Sequence, residues 1–397
     1  MKAKTIKANS TKGITIEMSN TISDGFKPTL AIVFLSIKQD RDAVCELLNK
    51  AGITIFGATT AGEFIDGDIE EGSIVMMLLD INRDYFKLEF LETSEQTTLE
   101  DAKKLGVIGN ETFTNPAFII ATGGIFIDGD QIIEGIQQGF GKSVSSVVTE
   151  QRRSTDREVT IFGGMAGDDL IAEKPLVFTN GKSKDNALIA LIIDEDNIDV
   201  RGIATCGWKA IGTTKTVTKS EANIVYTIDD KPALDMVMKY LGLDIDFDTG
   251  VNDVLTNIGA YYPLQLEREN VAPVMRTAMW GNKEDRSLIC AGNVPQGSKV
   301  RFSLPPDFDA IEKVVEECME VKQEKQPEAD AMIMFSCISR HLSFGIMMSE
   351  EIEQVQQVWD APMIGLFTYG EFGKSKTGKH EFHNNTCCVV ALKEISI

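Results

Sequence analysis

One short string occurs twice in this chain, once near each end. Residues 56–64 read FGATTAGEF and residues 365–372 read GLFTYGEF. Aligned, Gly57 falls on Gly365, Thr60 on Thr368, Gly62 on Gly370, Glu63 on Glu371 and Phe64 on Phe372. Glycines so placed let the backbone turn sharply and approach another group closely, and the acid is held at a strand end. The surroundings repeat as well. Leu30–Leu35 has strand length, Asp42–Lys50 carries Val44, Leu47 and Leu48 at helical spacing, and Ile53–Gly57 and Ser73–Leu79 read as strands. The same order returns in Ala331–Phe335, a helix over Ser349–Trp359 with Ser349 expected as N-cap, Met363–Leu366 and Thr386–Lys393.

A looser third copy lies between them: Pro116–Thr122, a helical face over Gln131–Phe140, VTIFGGMAGDD at 159–169 and Ala187–Asp194. With one residue deleted, Asp168 aligns with Glu63. Repeats of unequal length indicate duplicated parts of a globular fold, not a solenoid. The expected class is α/β with α+β character, built of duplicated β-α-β-β units that form mixed sheets flanked by helices. Two halves are expected, 1–220 and 221–397. Arg201–Val217 and Asn223–Ile228 read as a hairpin, Lys231–Leu243 as a helix with Pro232 in its first turn, and Val274–Cys290 and Lys299–Leu304 as strands. Asp309–Lys325 is an amphipathic helix.

The net charge of -21 over 397 residues repels phosphate backbones and anionic membranes, so no nucleic-acid partner is expected. No run approaches the ~20 apolar residues of a membrane span, and no secretory signal opens the chain. Seven cysteines without regular spacing read as reduced thiols, and the expected compartment is the cytoplasm.

Common catalytic motifs fail. Gly-Lys-Ser occurs at 141–143, 181–183 and 373–375, but positions 136, 176 and 368 are Ile, Leu and Thr where a phosphate loop needs glycine. There is no GxSxG elbow. His380, His383, Cys387 and Cys388 could ligate a metal, although two histidines three apart on a turn usually bind nothing. Cys337, at a strand end beside Arg340, could serve as a nucleophile or fill apolar space. An arginine at a strand end in an α/β fold can grip a carboxylate bidentately or make a plain surface ion pair.

The runs FSCISRHLSFG, PMIGLFTYGEFG and HEFHNNT resemble the C-terminal half of the FIST sensory module, and FGATTAGEF, ATGGIF and FGGMAGDD resemble its N-terminal half. The resemblance implies a non-enzymatic sensor of small ligands such as amino acids, working with kinase, cyclase or chemotaxis outputs. The last strand falls close to residue 397, so a separate partner protein is the expected output. Cys337, Arg340, Tyr369, Glu371, His383 and Asn384 stand at the C-terminal motif positions, with Thr368 in the same turn; Thr60, Glu63, Asp168 and Asp169 are the N-terminal equivalents. On chemical grounds Arg340 would clamp a ligand carboxylate, Glu371 would take its ammonium, and Tyr369 and Asn384 would complete the hydrogen bonds. No cofactor is expected for that reading. Two other readings stay open. Some similar proteins bind haem and sense nitric oxide, which would call on His341, His380 or His383. An enzyme would use Cys337 or a carboxylate pair.

Overall fold

The computed structural model describes residues 1–141, 158–242, 254 and 258–395. Lys142, Ser143 and Leu243, which belong to sequence readings above, lie outside those residues. The protein is mixed α/β, and its repeat is threefold. Each unit runs lead strand, helix, inner strand, helical segment, turn strand, hairpin and closing strand. In unit one these strands are Lys2–Ala8, Leu30–Ser36, Thr54–Thr60, the hairpin Glu63–Ile65 with Asp68–Glu70, and Ile74–Asp80. In unit two they are Phe86–Glu92, Pro116–Thr122, Thr160–Met165, Val177–Thr179 with Lys182–Lys184, and Ala187–Asp194. Unit three has Ile198–Thr205, Ala331–Cys337, Met363–Thr368, Glu371–Lys374 with His380–His383, and Cys387–Glu394.

Within every unit the sheet order is lead, closing, inner, turn, and the inner and turn strands are parallel. The two remaining strands of each six-stranded sheet come from another unit. Unit two's hairpin completes unit one's sheet, unit three's completes unit two's, and unit one's completes unit three's. The exchange closes a ring.

Close approach explains the glycine and phenylalanine of the repeated string. Phe64 lies opposite Gly365, Phe372 opposite Gly163 and Phe178 opposite Gly57. A Cβ on Gly365 would stand 2.1 Å from the Phe64 ring, and one on Gly57 would stand 2.2 Å from the Phe178 ring. Only glycine lets the donated ring lie flat on the turn strand.

The strands read as unbroken apolar runs because both faces are buried. In Leu30–Ser36, Leu30, Ile32 and Phe34 face a core shared with Ile189, Leu191, Ile333 and Phe335 of the other units. Ala31, Val33 and Leu35 face Ile14 and Met18 of helix Thr11–Ile22 and Val44 and Leu48 of helix Arg41–Lys50.

Several local expectations need correction. Helix Met348–Trp359 is not capped by Ser349, because Ile338–Phe344 and a 3-10 turn lead straight into it. The hairpin expected from Arg201–Val217 and Asn223–Ile228 exists only from Ala210 on, where Ala210–Glu221 pairs with Ile224–Ile228. Ile198–Thr205 pairs with Cys387–Glu394, whereas Ala210–Glu221 begins an inserted β-domain between unit three's lead strand and its helix Phe308–Glu324. That domain has its own core of Val217, Val225, Leu234, Val237 and Phe302.

Candidate functional site

The two acids of the repeated turn do the same local work. Glu63 accepts from the Thr60 hydroxyl and the Ser73 N–H, and Glu371 accepts from the Thr368 hydroxyl at 2.6 Å and the Thr386 N–H at 3.3 Å. Ser73 and Thr386 each stand just before a closing strand, so each carboxyl clasps its own turn to its own sheet. Glu63 and Glu371 are fully buried. Asp168 is not their counterpart. In register that place belongs to Val177, opposite Ala58 as Glu63 is opposite Leu366. Asp168 lies in the longer loop before Val177 and accepts from the N–H groups of Ala172, Glu173 and Lys174, each at 2.8 Å.

The three turns meet. Ala61 N–H donates to the Phe367 carbonyl and Phe367 N–H to that of Gly62, while Met165 and Gly370 bond at 2.8 Å. Tyr369 donates its hydroxyl to Asp168 Oδ1 at 2.5 Å and accepts from the Leu170 N–H at 3.1 Å. Asp169 takes the Ser36 hydroxyl at 2.8 Å and Lys38 at 3.0 Å, and its N–H reaches the Thr60 carbonyl. Thr60, Asp168, Asp169 and Tyr369 therefore share one junction.

A second cluster forms at the carboxyl end of Ala331–Cys337. Arg340 is fully buried. Its Nε and Nη2 engage both oxygens of Glu351, and Nη1 donates to the Cys206 carbonyl at 2.6 Å and the Asn385 carbonyl at 3.3 Å. The guanidinium lies 5.2 Å from the Trp208 ring centre and 4.8 Å from that of Phe344. Glu351 was missed from sequence, although a signal existed: it shares a helix face with Met348, Ile352 and Val355, where a carboxylate is out of place. Hydroxyls of Thr205 and Ser336 and the Oδ1 of Asn384 are buried without a hydrogen-bond partner among the described residues. Thr205 and Ser336 flank Cys387 in one cross-strand row.

Burial sets the electrostatics. It pushes the Cys337 thiol far above its usual range, and the neighbouring Glu371 pushes the same way, so the thiolate that a nucleophile needs is disfavoured. Burial lowers His383 and His380 to about 4, and their ring nitrogens face the Gly373 and Ile161 carbonyls. His341 stacks on Phe367 at 4.4 Å with Nε2 towards Glu71. Among the described residues no three potential metal ligands gather.

Burial also raises Glu371 to about 8 and Glu63 to about 7, against the hydrogen bonds they accept. A native acid that keeps its proton while the unfolded chain releases it loses stability as pH rises from about 4.5 to about 8. A Glu371→Gln chain should therefore show a shallower fall in urea midpoint across that window. A slope equal to the parent's would mean Glu371 is ionised in the folded protein.

No helix among the described residues is long and apolar enough to cross a membrane. No curated protein matches the sequence. Family models for the FIST N domain and the FIST C domain match residues 29–231 and 233–374. Their seam falls inside the inserted β-domain, between strands of one sheet, so it does not divide the structural units. With both models matched in order over most of its length, the chain belongs to the FIST family of sensory domains.

Proposed function

We propose that this protein senses a small carboxylate, an amino acid or a close relative, and passes the signal to a separate protein of the kinase, cyclase or chemotaxis type. The observation that carries the reading is the wholly desolvated Arg340–Glu351 pair beneath Trp208, which stands in the loop between unit three's lead strand and the inserted domain. Desolvation makes such a pair poor value for stability, yet its two charges are those a zwitterion needs. A ligand carboxylate would replace Glu351 on the fork of Arg340. Its ammonium would meet the released Glu351, with Glu371 and the free Oδ1 of Asn384 as further acceptors; Tyr369 would hold the adjoining turn. Exchange of an internal pair for a ligand pair gives two states, which is what a sensor requires.

A thermal-shift screen against free amino acids and simple organic acids tests this. A compound at a hundred times its dissociation constant should stabilise the fold by about 2.7 kcal/mol. The Arg340→Met/Glu351→Leu double variant should keep a cooperative melt and lose that shift. A flat panel with the parent chain would reject the ligand class, and an undiminished shift in the double variant would reject Arg340 as the clamp.

A further inference from the structure

The inserted β-domain carries a feature the proposed sensor site does not use. Helix Ala233–Leu241 buries Ala233, Leu234 and Val237. Spacing of four then puts Asp235 and Lys239 in one row along the helix and Met236 and Tyr240 in the next, and Lys231 and Pro232, in a short strand that ends at the helix, extend these rows. Together with Lys215 and Asp229 these rows line a cavity of about 480 Å3. Tyr240 forms one wall. Its ring packs on the buried Phe302 at 4.5 Å, and its hydroxyl leans over Gly212, where any Cβ would be 1.7 Å away.

The charges are uneven. Asp229 is engaged by Lys215 at 3.2 Å and by the Thr216 N–H at 2.9 Å, and Asp235 is engaged by Arg286 at 2.6 Å. Lys231 and Lys239 are exposed and make no ion pair or hydrogen bond through their amines among the described residues. Two uncommitted ammonium groups thus face a partly apolar hollow in a chain whose net charge is -21. A concave site with unpaired cations raises the local concentration of small anions, and its volume lies in the range of ligand pockets.

We propose that this cavity binds a phosphate monoester carrying a flat ring. Two lysines match the two charges of the ester, and the ring stacks on Tyr240 beside Met236. The site is separate from the Arg340 cluster and can work whether or not that cluster binds anything.

The probe is 5′-AMP, titrated calorimetrically into the full chain, with inorganic phosphate and adenosine as controls. AMP should bind at least tenfold more tightly than either. A Lys231→Glu/Lys239→Glu chain should weaken AMP at least tenfold with an unchanged melt, since both side chains are exposed, and Tyr240→Ala should weaken it several-fold. The Arg340→Met/Glu351→Leu chain should bind AMP as the parent does, which keeps this test independent of the sensor site. Absence of AMP binding, equal affinity for adenosine, or affinity unmoved by the lysine changes would each overturn the assignment.

Discussion

A Gly365→Ala chain is expected to unfold at clearly lower urea, with about 3 kcal/mol of stability lost. The added methyl would lie 2.1 Å from the Phe64 ring and 2.7 Å from the Met334 carbonyl oxygen, so neither side can yield cheaply. Overpacking of this kind costs about 1–3 kcal/mol and occasionally more, and the backbone contact places this case at the upper end. Phe64→Ala should cost about 3–5 kcal/mol by leaving a cavity. The two positions belong to one contact, so Gly365→Ala combined with Phe64→Leu should cost less than the sum of the separate changes. The contact also ties unit one to unit three. Hydrogen exchange should therefore speed up in Met363–Thr368 and Glu63–Ile65 together. A Gly365→Ala chain within about 0.5 kcal/mol of the parent, the size of an ordinary surface change, would show that the ring can close without the flat approach of Phe64.

That contact also marks where sequence reasoning stops. The inner and turn strands were legible because burial on both faces writes an unbroken apolar run. Their neighbours were not. Periodicity assigns a face to a residue and gives no sheet partner, so an exchange of hairpins among three units leaves no local trace. Glycine and phenylalanine stand seven apart in units one and three, Gly57 to Phe64 and Gly365 to Phe372. In unit two the interval from Gly163 to Phe178 is fifteen. That longer loop moved Asp168 into a false alignment with Glu63. The lead strands of units one and two were missed for the opposite reason. Lys2–Ala8 lies at a sheet edge with only Ile6 buried, and its pattern is too polar to stand out. Residue types at the Arg340 cluster were legible, but its partner Glu351 was hidden within a helix that otherwise reads as plain core.

The second large effect concerns that partner. Glu351→Leu alone should cost about 3–5 kcal/mol, because it leaves the Arg340 guanidinium buried without a counter-charge. Arg340→Met alone should cost a similar amount, from the stranded Glu351 carboxylate. The double change removes both charges, and its loss should be far smaller than the sum. Two carbonyls, those of Cys206 and Asn385, would lose a donor, and under-satisfied carbonyls are tolerated better than orphaned N–H groups. Urea midpoints for the four chains measure the coupling directly. Near-additive losses would mean that the pair is not the closed unit seen here and that Arg340 has other partners in solution. Strong coupling would define a pair whose charges matter to one another and little to the fold. Such a pair is free to be exchanged for the opposite charges of a bound zwitterion, so the cycle repeated with ligand present should show the parent gaining stability while the double variant stays unmoved.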